Sequence, residues 1–456
     1  MAASRHDADS MAEALLKFLA QGPQPAAKAS TALGISQPTF SRTIQLLGEK
    51  VTQFRVKGQR TPLYGALRTL PQGLSARQSI HRYLSAGKIA HFADVEFLAG
   101  GATLERDAQG HTTLYEGLPP YMAFAAPSGF LGRQIAQEAS RAQPFPESLR
   151  DWSDEHRIAY LFTMGLNLPG NLVFGSACLQ REIDFRGARP VRKAGKLAYY
   201  VDMAQALKSA AYGSSAGGEQ PKFLCLTEDA GHVIVKFARR GSRMADLLPL
   251  EHLALRALET VDVPCAATRL LAGGDYVFLE VARFDRAGAN GRIGMLSAGA
   301  VDDEFFGRRD TWPEFAARCV RAKYLSADDA RRIDTMTAFS ELIGNTDRHF
   351  ENLSLLIGDD GEYQGVAPAY DILPMRYAPI GGGIDPELTP VEPRIGTVGA
   401  RPEIWSRAGQ AAEKFWRDVQ KADLPAPVTT AMRRLAARNL QVVREFLAPL
   451  VPDAPR

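Results

Sequence analysis

The segment at residues 339–357 constrains the fold most, because Asp347 and Asn352 stand five residues apart in a polar stretch between two apolar ones. A β-prone run and a turn of Gly and Asp residues follow it, and Asp371 comes next. An irregular loop that leaves a helix can aim the Asp347 carboxylate at an acceptor group. The amide of Asn352 can then turn back towards nucleotide phosphates, as in a kinase catalytic loop. Oxygens of Asn352 and Asp371 would suit Mg²⁺.

A local explanation exists for each of these residues. Asn345 and Asp347 could cap a turn, and Asp371 could begin a helix. Such an explanation has to account for all of them in this order, together with the two features described next.

Lys236 interrupts the apolar, β-prone run at residues 232–237. A buried ammonium is costly unless an anion meets it. In kinases a strand lysine meets the phosphates of ATP and is held by a helix carboxylate, for which Glu251 and Glu259 are candidates here. The alternative is a lysine on an edge strand that points to water.

A Gly/Ser-rich segment at residues 213–222 precedes this strand. Small residues let backbone N–H groups approach phosphate oxygens closely, which favours an ATP-binding role. Taken alone, the same composition is also typical of a simple hairpin. The predicted ATP-binding residues in this segment are Ser215, Ala216, Gly217 and Gly218.

The first 70 residues predict three helices and a β-hairpin. Ser10 can cap the first helix, Gly34 can end the second, and Ser36 can cap the third. Two β-prone runs joined at Gly58 follow. This order is typical of a winged helix-turn-helix.

The charge of this module favours contact with DNA. Residues 36–68 carry six cations and one acid, Glu49, which suits phosphate contacts. A small dimerisation or protein-docking module with a basic face is the alternative. The predicted DNA-binding residues are Gln37, Thr39, Ser41, Arg42 and Gln45 on the third helix, and Arg55, Lys57 and Arg60 on the wing.

The length of 456 residues predicts more than one domain. We expect a winged helix-turn-helix at 1–70, an N-terminal lobe with the Gly-rich loop at 71–235, and a core with the catalytic loop and a helical C-terminal lobe at 236–456. No stretch is apolar enough to span a membrane. The four cysteines are scattered without metal-ligand spacing, so we expect a cytoplasmic protein.

Five blocks of the sequence resemble, in order, characteristic blocks of the HipA family of toxin kinases. The resemblance covers about residues 200–450 and, more loosely, 75–200, where NLPGNLVFG is similar to the family's N-terminal subdomain. The five blocks are GSSAGGEQPKF, HVIVKFA, VARFDR, GNTDRHFENLSLL and APAYDILP.

The resemblance implies an α+β, bilobed, protein-kinase-like fold that phosphorylates serine or threonine of a protein with ATP and Mg²⁺. It implies that Asp347 is the catalytic base and that Asn352 and Asp371 hold magnesium, while Lys236 meets the phosphates. For His349, which also matches, we expect a buried structural hydrogen bond. Autophosphorylation, which ejects the loop and switches the enzyme off, is implied for Ser214 or Ser215.

The resemblance also implies partners. These are a protein substrate, such as a translation factor or an aminoacyl-tRNA synthetase, and an antitoxin. HipA-type toxins usually act with a separate DNA-binding antitoxin, whereas residues 1–70 supply such a module on the same chain. The fusion leaves open whether an antitoxin exists. Because winged-helix modules often read two half-sites, a homodimer on DNA is a further expectation.

Three functions therefore stand at this point. The first is a serine/threonine kinase toxin of a type II toxin–antitoxin-like system that binds DNA. The second is a transcriptional regulator whose kinase-like part senses nucleotide without phosphoryl transfer. The third is a kinase of a small molecule. An intact set of Lys236, Asp347, Asn352 and Asp371 argues against the second, because a sensor needs no base.

Overall fold

The computed structural model of the chain describes four stretches, which are residues 5–210, 220–380, 383–426 and 428–451. Helices and antiparallel sheets occur throughout them, which confirms the predicted α+β class. Within the described residues, no helix is both long and apolar enough to cross a membrane.

The chain divides into two units. The first comprises residues 1–127 and 135–187, and the second comprises residues 128–134 and 188–456. The predicted three-domain division stays a prediction, and its boundary at residue 235 falls inside a strand that spans Gly231–Arg239.

The first unit holds a small three-stranded sheet, a five-stranded sheet and several helices. The helix Gly129–Ala142 begins in the second unit and continues in the first. In chain order the elements are α1 (Arg5–Leu19), β1 (Gln24–Pro25), α2 (Ala26–Leu33), α3 (Gln37–Leu47), β2 (Val51–Phe54), β3 (Leu63–Ala66), β4 (Arg77–Tyr83), β5 (Ile89–Phe97), β6 (Thr103–Asp107), β7 (Thr112–Tyr115), α4 (Pro120–Ala125), α5 (Gly129–Ala142), α6 (Asp154–Thr163), β8 (Leu172–Phe174) and α7 (Gly175–Phe185).

The first three helices follow local signals in the sequence. Ser36 caps α3 by accepting a hydrogen bond from the Thr39 N–H at 3.3 Å. Gly34 ends α2 in the left-handed conformation, with φ 64°. Helix α1, however, begins at Arg5 and not at the predicted cap Ser10, because no Gly or Pro interrupts the residues before it. The small sheet has the order β1-β3-β2.

The β2–β3 hairpin shares a hydrophobic core with the five-stranded sheet, whose order is β7-β6-β5-β4-β8. Phe54 from the hairpin packs in one cluster with Leu98, Ala102 and Leu104. Backbone hydrogen bonds continue the contact, since the Ala99 N–H donates to the Ala66 carbonyl at 2.8 Å. The N-terminal module is therefore joined to the following sheet by a core and not by a linker.

The second unit contains a four-stranded sheet of order β11-β12-β10-β9 and a mainly helical part. In chain order the elements are α8 (Lys196–Ala210), β9 (Lys222–Thr227), β10 (Gly231–Arg239), α9 (Arg243–Glu259), β11 (Thr268–Gly273), β12 (Tyr276–Ala282), β13 (Arg286–Ala287), β14 (Gly291–Arg292), β15 (Gly294–Ser297), α10 (Ala298–Phe305), α11 (Trp312–Arg321), α12 (Ala327–Ile343), β16 (Ser354–Ile357), β17 (Tyr363–Val366), α13 (Pro402–Lys421) and α14 (Thr430–Leu447).

Helix α8 is tied to the four-stranded sheet by buried charges. The Lys196 ammonium lies 2.8 Å from carboxylate oxygens of both Asp229 and Glu280. The Tyr200 hydroxyl donates to the Glu280 carboxylate at 2.8 Å. The helix that precedes the Gly/Ser-rich segment is thus held firmly on the sheet.

Buried aromatic side chains hold the helical part together. Trp416 on α13 is fully buried, and its indole N–H donates to the Leu342 carbonyl at 3.1 Å. That contact secures the last turn of α12, directly before the segment that carries Asp347.

The shared core generates a stability prediction. Leu98 is fully buried in it, so Leu98→Ala should lower the free energy of unfolding by about 2–5 kcal/mol through lost burial and a cavity. Leu46→Ala, at an exposed position on α3, should change it by no more than about 0.5 kcal/mol. Urea unfolding followed by fluorescence compares the two. Equal losses in both variants would contradict the shared core.

Candidate active site and nucleic-acid surface

Lys236 lies on β10, a central strand of its sheet, between β9 and β12. Its side chain is almost completely buried, with the residue 5% exposed. The ammonium contacts both oxygens of Glu251 on α9, at 2.7 and 2.8 Å, and one oxygen of Asp371, at 2.7 Å. The predicted carboxylate partner is therefore Glu251 and not Glu259, and the edge-strand alternative does not hold.

The protonation of these three groups follows from burial and charge. Burial opposes the charged form of Lys236, but the carboxylates of Asp371 and Glu251 outweigh it and raise the lysine's pKa. Burial likewise opposes ionisation of Asp371, but the Lys236 ammonium outweighs it and lowers that pKa to about 2. Burial raises the pKa of Glu251, against the pull of Lys236. A charged lysine thus faces an ionised Asp371.

The segment with Asp347 begins where α12 ends. Gly344 ends the helix with φ 78°, a conformation that favours glycine. The buried Asn345 side chain then accepts a hydrogen bond from the Asp347 N–H at 3.0 Å. Asn345 thus caps the turn, as the local alternative allowed, and the same hydrogen bond orients the residue that the kinase pattern requires.

Asp347 and Asn352 lie together. The Asn352 amide N–H₂ donates to the Asp347 carbonyl at 2.9 Å and approaches its carboxylate at 3.4 Å. The Asp347 side chain is 42% exposed. An accessible carboxylate of this kind can accept a proton from a hydroxyl group in solution or on another protein.

Asp371 is held in an unusual backbone conformation, with φ 56°. Its neighbour Tyr370 anchors the backbone, since the Tyr370 hydroxyl donates to the Glu351 carbonyl at 2.8 Å and lies 2.7 Å from the Ser354 hydroxyl. Positive φ at a residue other than glycine costs free energy and occurs often at functional positions. The Asp371 side chain is 32% exposed, so a ligand can reach it.

The donor set fits magnesium. Because the nitrogen of the Asn352 amide donates to Asp347, the amide oxygen is the atom that it can offer to a cation. Asp371 adds an ionised, partly exposed carboxylate. One amide and one carboxylate oxygen are enough for Mg²⁺ when phosphates complete the shell. In the described part of the chain, no group of three or more His, Cys, Asp or Glu side chains could hold a metal ion.

His349 is not buried, which makes the expectation of a buried structural hydrogen bond wrong. Its side chain is 48% exposed and lies between two carboxylates, 3.2 Å from Glu351 and 3.6 Å from Asp347. The hydrogen bond to Glu351 raises the pKa of His349. The same bond lowers the pKa of Glu351 to about 2. Electrostatic attraction to acids, and not burial, sets the position of this ring.

Arg309 completes this group, and sequence reasoning missed it. Its guanidinium lies 2.5 Å from the Glu351 carboxylate and also binds Asp303. The only local signal was the spacing of His349 and Glu351, which puts an acid two residues after the ring. Nothing in the sequence connects Arg309, in the segment between α10 and α11, with that pair.

The predicted residues of the Gly/Ser-rich segment lie outside the described residues. These are Ser214, Ser215, Ala216, Gly217 and Gly218. Lys222, which follows the segment on β9, is directly opposite Lys236 in the sheet register. The charges of Lys236 and Lys222 both lower the pKa of Asp371.

The predicted DNA-binding residues lie on one helix and one hairpin of the first unit. Thr39 is partly exposed, and the others are exposed to solvent. The helix residues are Gln37, Thr39, Ser41, Arg42 and Gln45 on α3, and the residues of the β2–β3 connection are Arg55, Lys57 and Arg60.

Comparison with known families defines the class of protein. Residues 74–183 match the family described as "YjjJ-like toxin, middle domain", and residues 214–438 match the "HipA-like C-terminal domain". Over 443 residues, the chain is 30% identical to the toxin YjjJ of Escherichia coli (strain K12). That alignment covers 95% of this chain and 97% of the relative. The chain belongs to the HipA family of toxins, which confirms the resemblance.

Two solved structures are also similar. A chain of the Shewanella oneidensis MR-1 toxin–antitoxin complex of HipA, HipB and operator DNA matches with a TM-score of 0.49 and 15% identity, over 83% of this chain and 100% of that one. The Helicobacter pylori proinflammatory kinase CtkA matches with a TM-score of 0.37 and 13% identity, over 52% of this chain and 91% of that one.

The contact of His349 with Glu351 predicts a titration. In the protein without nucleotide or metal, His349 should titrate above its usual pKa of about 6.5, and Glu351→Gln should bring the value down. Because the folded pKa is raised, the stability from this ion pair is complete below the unfolded pKa and is lost as pH rises through the folded one. An NMR titration of the imidazole protons measures the pKa of His349 in the wild type and in Glu351→Gln.

Glu362→Gln, at an exposed position of the β16–β17 turn, is the matched control and should leave the His349 pKa unchanged. An identical pKa in the wild type and in Glu351→Gln would contradict the assigned contact.

Proposed function

We propose that this protein is an ATP-dependent serine/threonine protein kinase that acts as the toxin of a type II toxin–antitoxin-like system. The single observation that supports this best is the buried Lys236 ammonium in contact with both Glu251 and Asp371. A lysine held by a helix carboxylate and set against a metal-binding aspartate is the arrangement that protein kinases use for ATP. Membership of the HipA family agrees with it.

Each residue of the candidate active site has its own role in phosphoryl transfer. Lys236 meets the phosphates of ATP, and its position is secured by Glu251. Asn352 and Asp371 would hold Mg²⁺, which would supply positive charge against the phosphate oxygens. The acceptor oxygen bonds to the γ-phosphorus as the bond to the bridging oxygen of ADP breaks, and Asp347 accepts the hydroxyl proton.

The acceptors are a protein substrate and the chain itself. By family resemblance, the substrate is a translation factor or an aminoacyl-tRNA synthetase. Autophosphorylation is proposed for Ser214 or Ser215, in the Gly/Ser-rich segment between α8 and β9. A phosphate there would add about two negative charges to a segment proposed to bind ATP phosphates, which would oppose ATP binding.

The N-terminal module is proposed to bind DNA. The exposed polar face of α3 would read base edges, while the cations of the β2–β3 connection would contact phosphates. A homodimer on two half-sites and a separate antitoxin are further proposals. The module would then couple the level of the toxin to its own transcription.

The first test measures phosphoryl transfer. Wild-type protein incubated with Mg²⁺ and γ-labelled ATP should incorporate label, which mass spectrometry should map to Ser214 or Ser215. Asp347→Asn should reduce the rate by about 10²–10⁴-fold, because the base is lost while the size of the side chain is kept. Asp262→Asn, in which the side chain replaced is 97% exposed, should match the wild type.

A wild-type rate in Asp347→Asn would refute the assignment of the base. Absence of label in the wild type, once prior phosphorylation has been excluded by mass spectrometry, would instead favour the regulator that senses nucleotide. Label on an added antibiotic or sugar alcohol, but on no protein, would favour the kinase of a small molecule.

The second test measures DNA binding. Arg42→Ala should weaken binding of duplex DNA and reduce the steepness with which affinity falls with salt by about one counterion, because α3 loses its one cation at the DNA surface. Arg150→Ala removes an exposed cation from the same unit outside the module and should have no such effect. Fluorescence anisotropy at several salt concentrations provides the comparison, and equal effects of both variants would contradict the role of α3.

A further inference from the structure

A basic groove runs between two hairpins of the first unit. One wall is the β2–β3 hairpin, with Arg55 and Lys57, and the other is the β6–β7 hairpin, with Arg106 and His111. The groove has a volume of about 910 Å³. None of the described residues that line it is acidic. Half of its wall therefore lies outside residues 1–70, in the sheet that follows the N-terminal module.

Two acids of the strands β5 and β6, Glu96 and Asp107, are already engaged. Glu96 contacts two guanidinium groups, those of Arg77 at 3.3 Å and Arg106 at 3.2 Å. Asp107 accepts hydrogen bonds from the backbone N–H groups of Gln109 and His111, at 2.9 and 2.8 Å, and its other oxygen lies 3.0 Å from the His111 ring nitrogen. Because the Glu96 carboxylate is shared by two guanidinium groups, it does not neutralise Arg106 completely.

The polar neutral residues of the groove are hydrogen-bond donors. Gln53 on β2 and Thr113 on β7 are exposed, and Thr112 is partly exposed. Amide and hydroxyl donors interspersed with cations are the groups with which proteins contact the sugar–phosphate backbone of DNA.

The two walls are fixed relative to each other. Phe54 at the end of β2 packs in the core that includes Leu104 of β6, and Leu114 of β7 packs against the same cluster. A groove built on a packed core is preformed, so little ordering free energy is lost on binding.

We propose that this groove binds the phosphate backbone of duplex DNA next to the segment contacted by α3, so that the middle sheet is part of the DNA-binding surface. The proposal rests on the proposed DNA binding of residues 1–70 and extends it to the β6–β7 hairpin. Arg106 is the principal contact that it adds, with Thr113 beside it.

The test uses the full chain and a mixed-sequence duplex of about 30 base pairs, roughly three helical turns. Arg106→Gln should weaken binding several-fold and lower the salt slope by about one counterion. Thr113→Glu places a carboxylate at an exposed position of the groove and should also weaken binding. Anisotropy titrations at several salt concentrations measure both, and thermal unfolding verifies that both variants fold.

Two controls change charge at exposed positions of the same unit outside the groove. Arg150→Gln is the match for Arg106→Gln, and Ser148→Glu is the match for Thr113→Glu. Neither control should change affinity or salt slope.

The outcomes separate this inference from the one on which it rests. If the wild type binds the duplex and Arg42→Ala weakens binding, but both groove variants bind like the wild type, the groove is not a DNA contact. If the wild type does not bind the duplex at low salt, the DNA-binding function itself fails and the groove proposal falls with it. A loss in the groove variants that the controls do not share supports the proposal.

Discussion

The buried ammonium of Lys236 is the interaction on which the second unit depends. An isolated charge in the middle of a sheet costs several kcal/mol, and it is tolerated only where opposite charges meet it with good geometry. Its partners are Glu251 on α9 and Asp371, which lies beyond β17 in the chain. Strand, helix and the distant Asp371 must therefore be assembled together before the lysine can be buried. The arrangement proposed to hold ATP is also a condition for folding this region.

Features that depend on neighbouring residues could be predicted from the sequence. The cap at Ser36 and the left-handed conformation of Gly34 are each determined by a few consecutive residues, and the structure has both. The order of the blocks around Lys236 and Asp347 predicted the family, which the relatives confirm. The pairing of Lys236 with a carboxylate of α9 followed from the cost of burying a charge together with the arrangement found in kinases. Choosing Glu251 over Glu259 required knowing which face of the helix meets the sheet.

Features that depend on distant residues were not predictable in the same way. The sequence next to His349 does not show whether its side chain is buried or half-exposed. The surroundings of the ring depend on Glu351 and on Arg309, which lies in a distant segment of the chain. The core around Leu98 gave no signal either, because an apolar residue at the end of a strand does not specify its partner. The positions of helix starts, such as α1, depend on weak propensities that several residues share.

The core shared by the β2–β3 hairpin and the middle sheet has a consequence for how such a chain can evolve. Modules joined by linkers are exchanged between genes with little damage, because each keeps its own interior. Here a recombination event near residue 70 would divide one interior between two genes and leave both halves with apolar surface in water. The N-terminal module and the middle sheet are thus expected to be inherited as one piece.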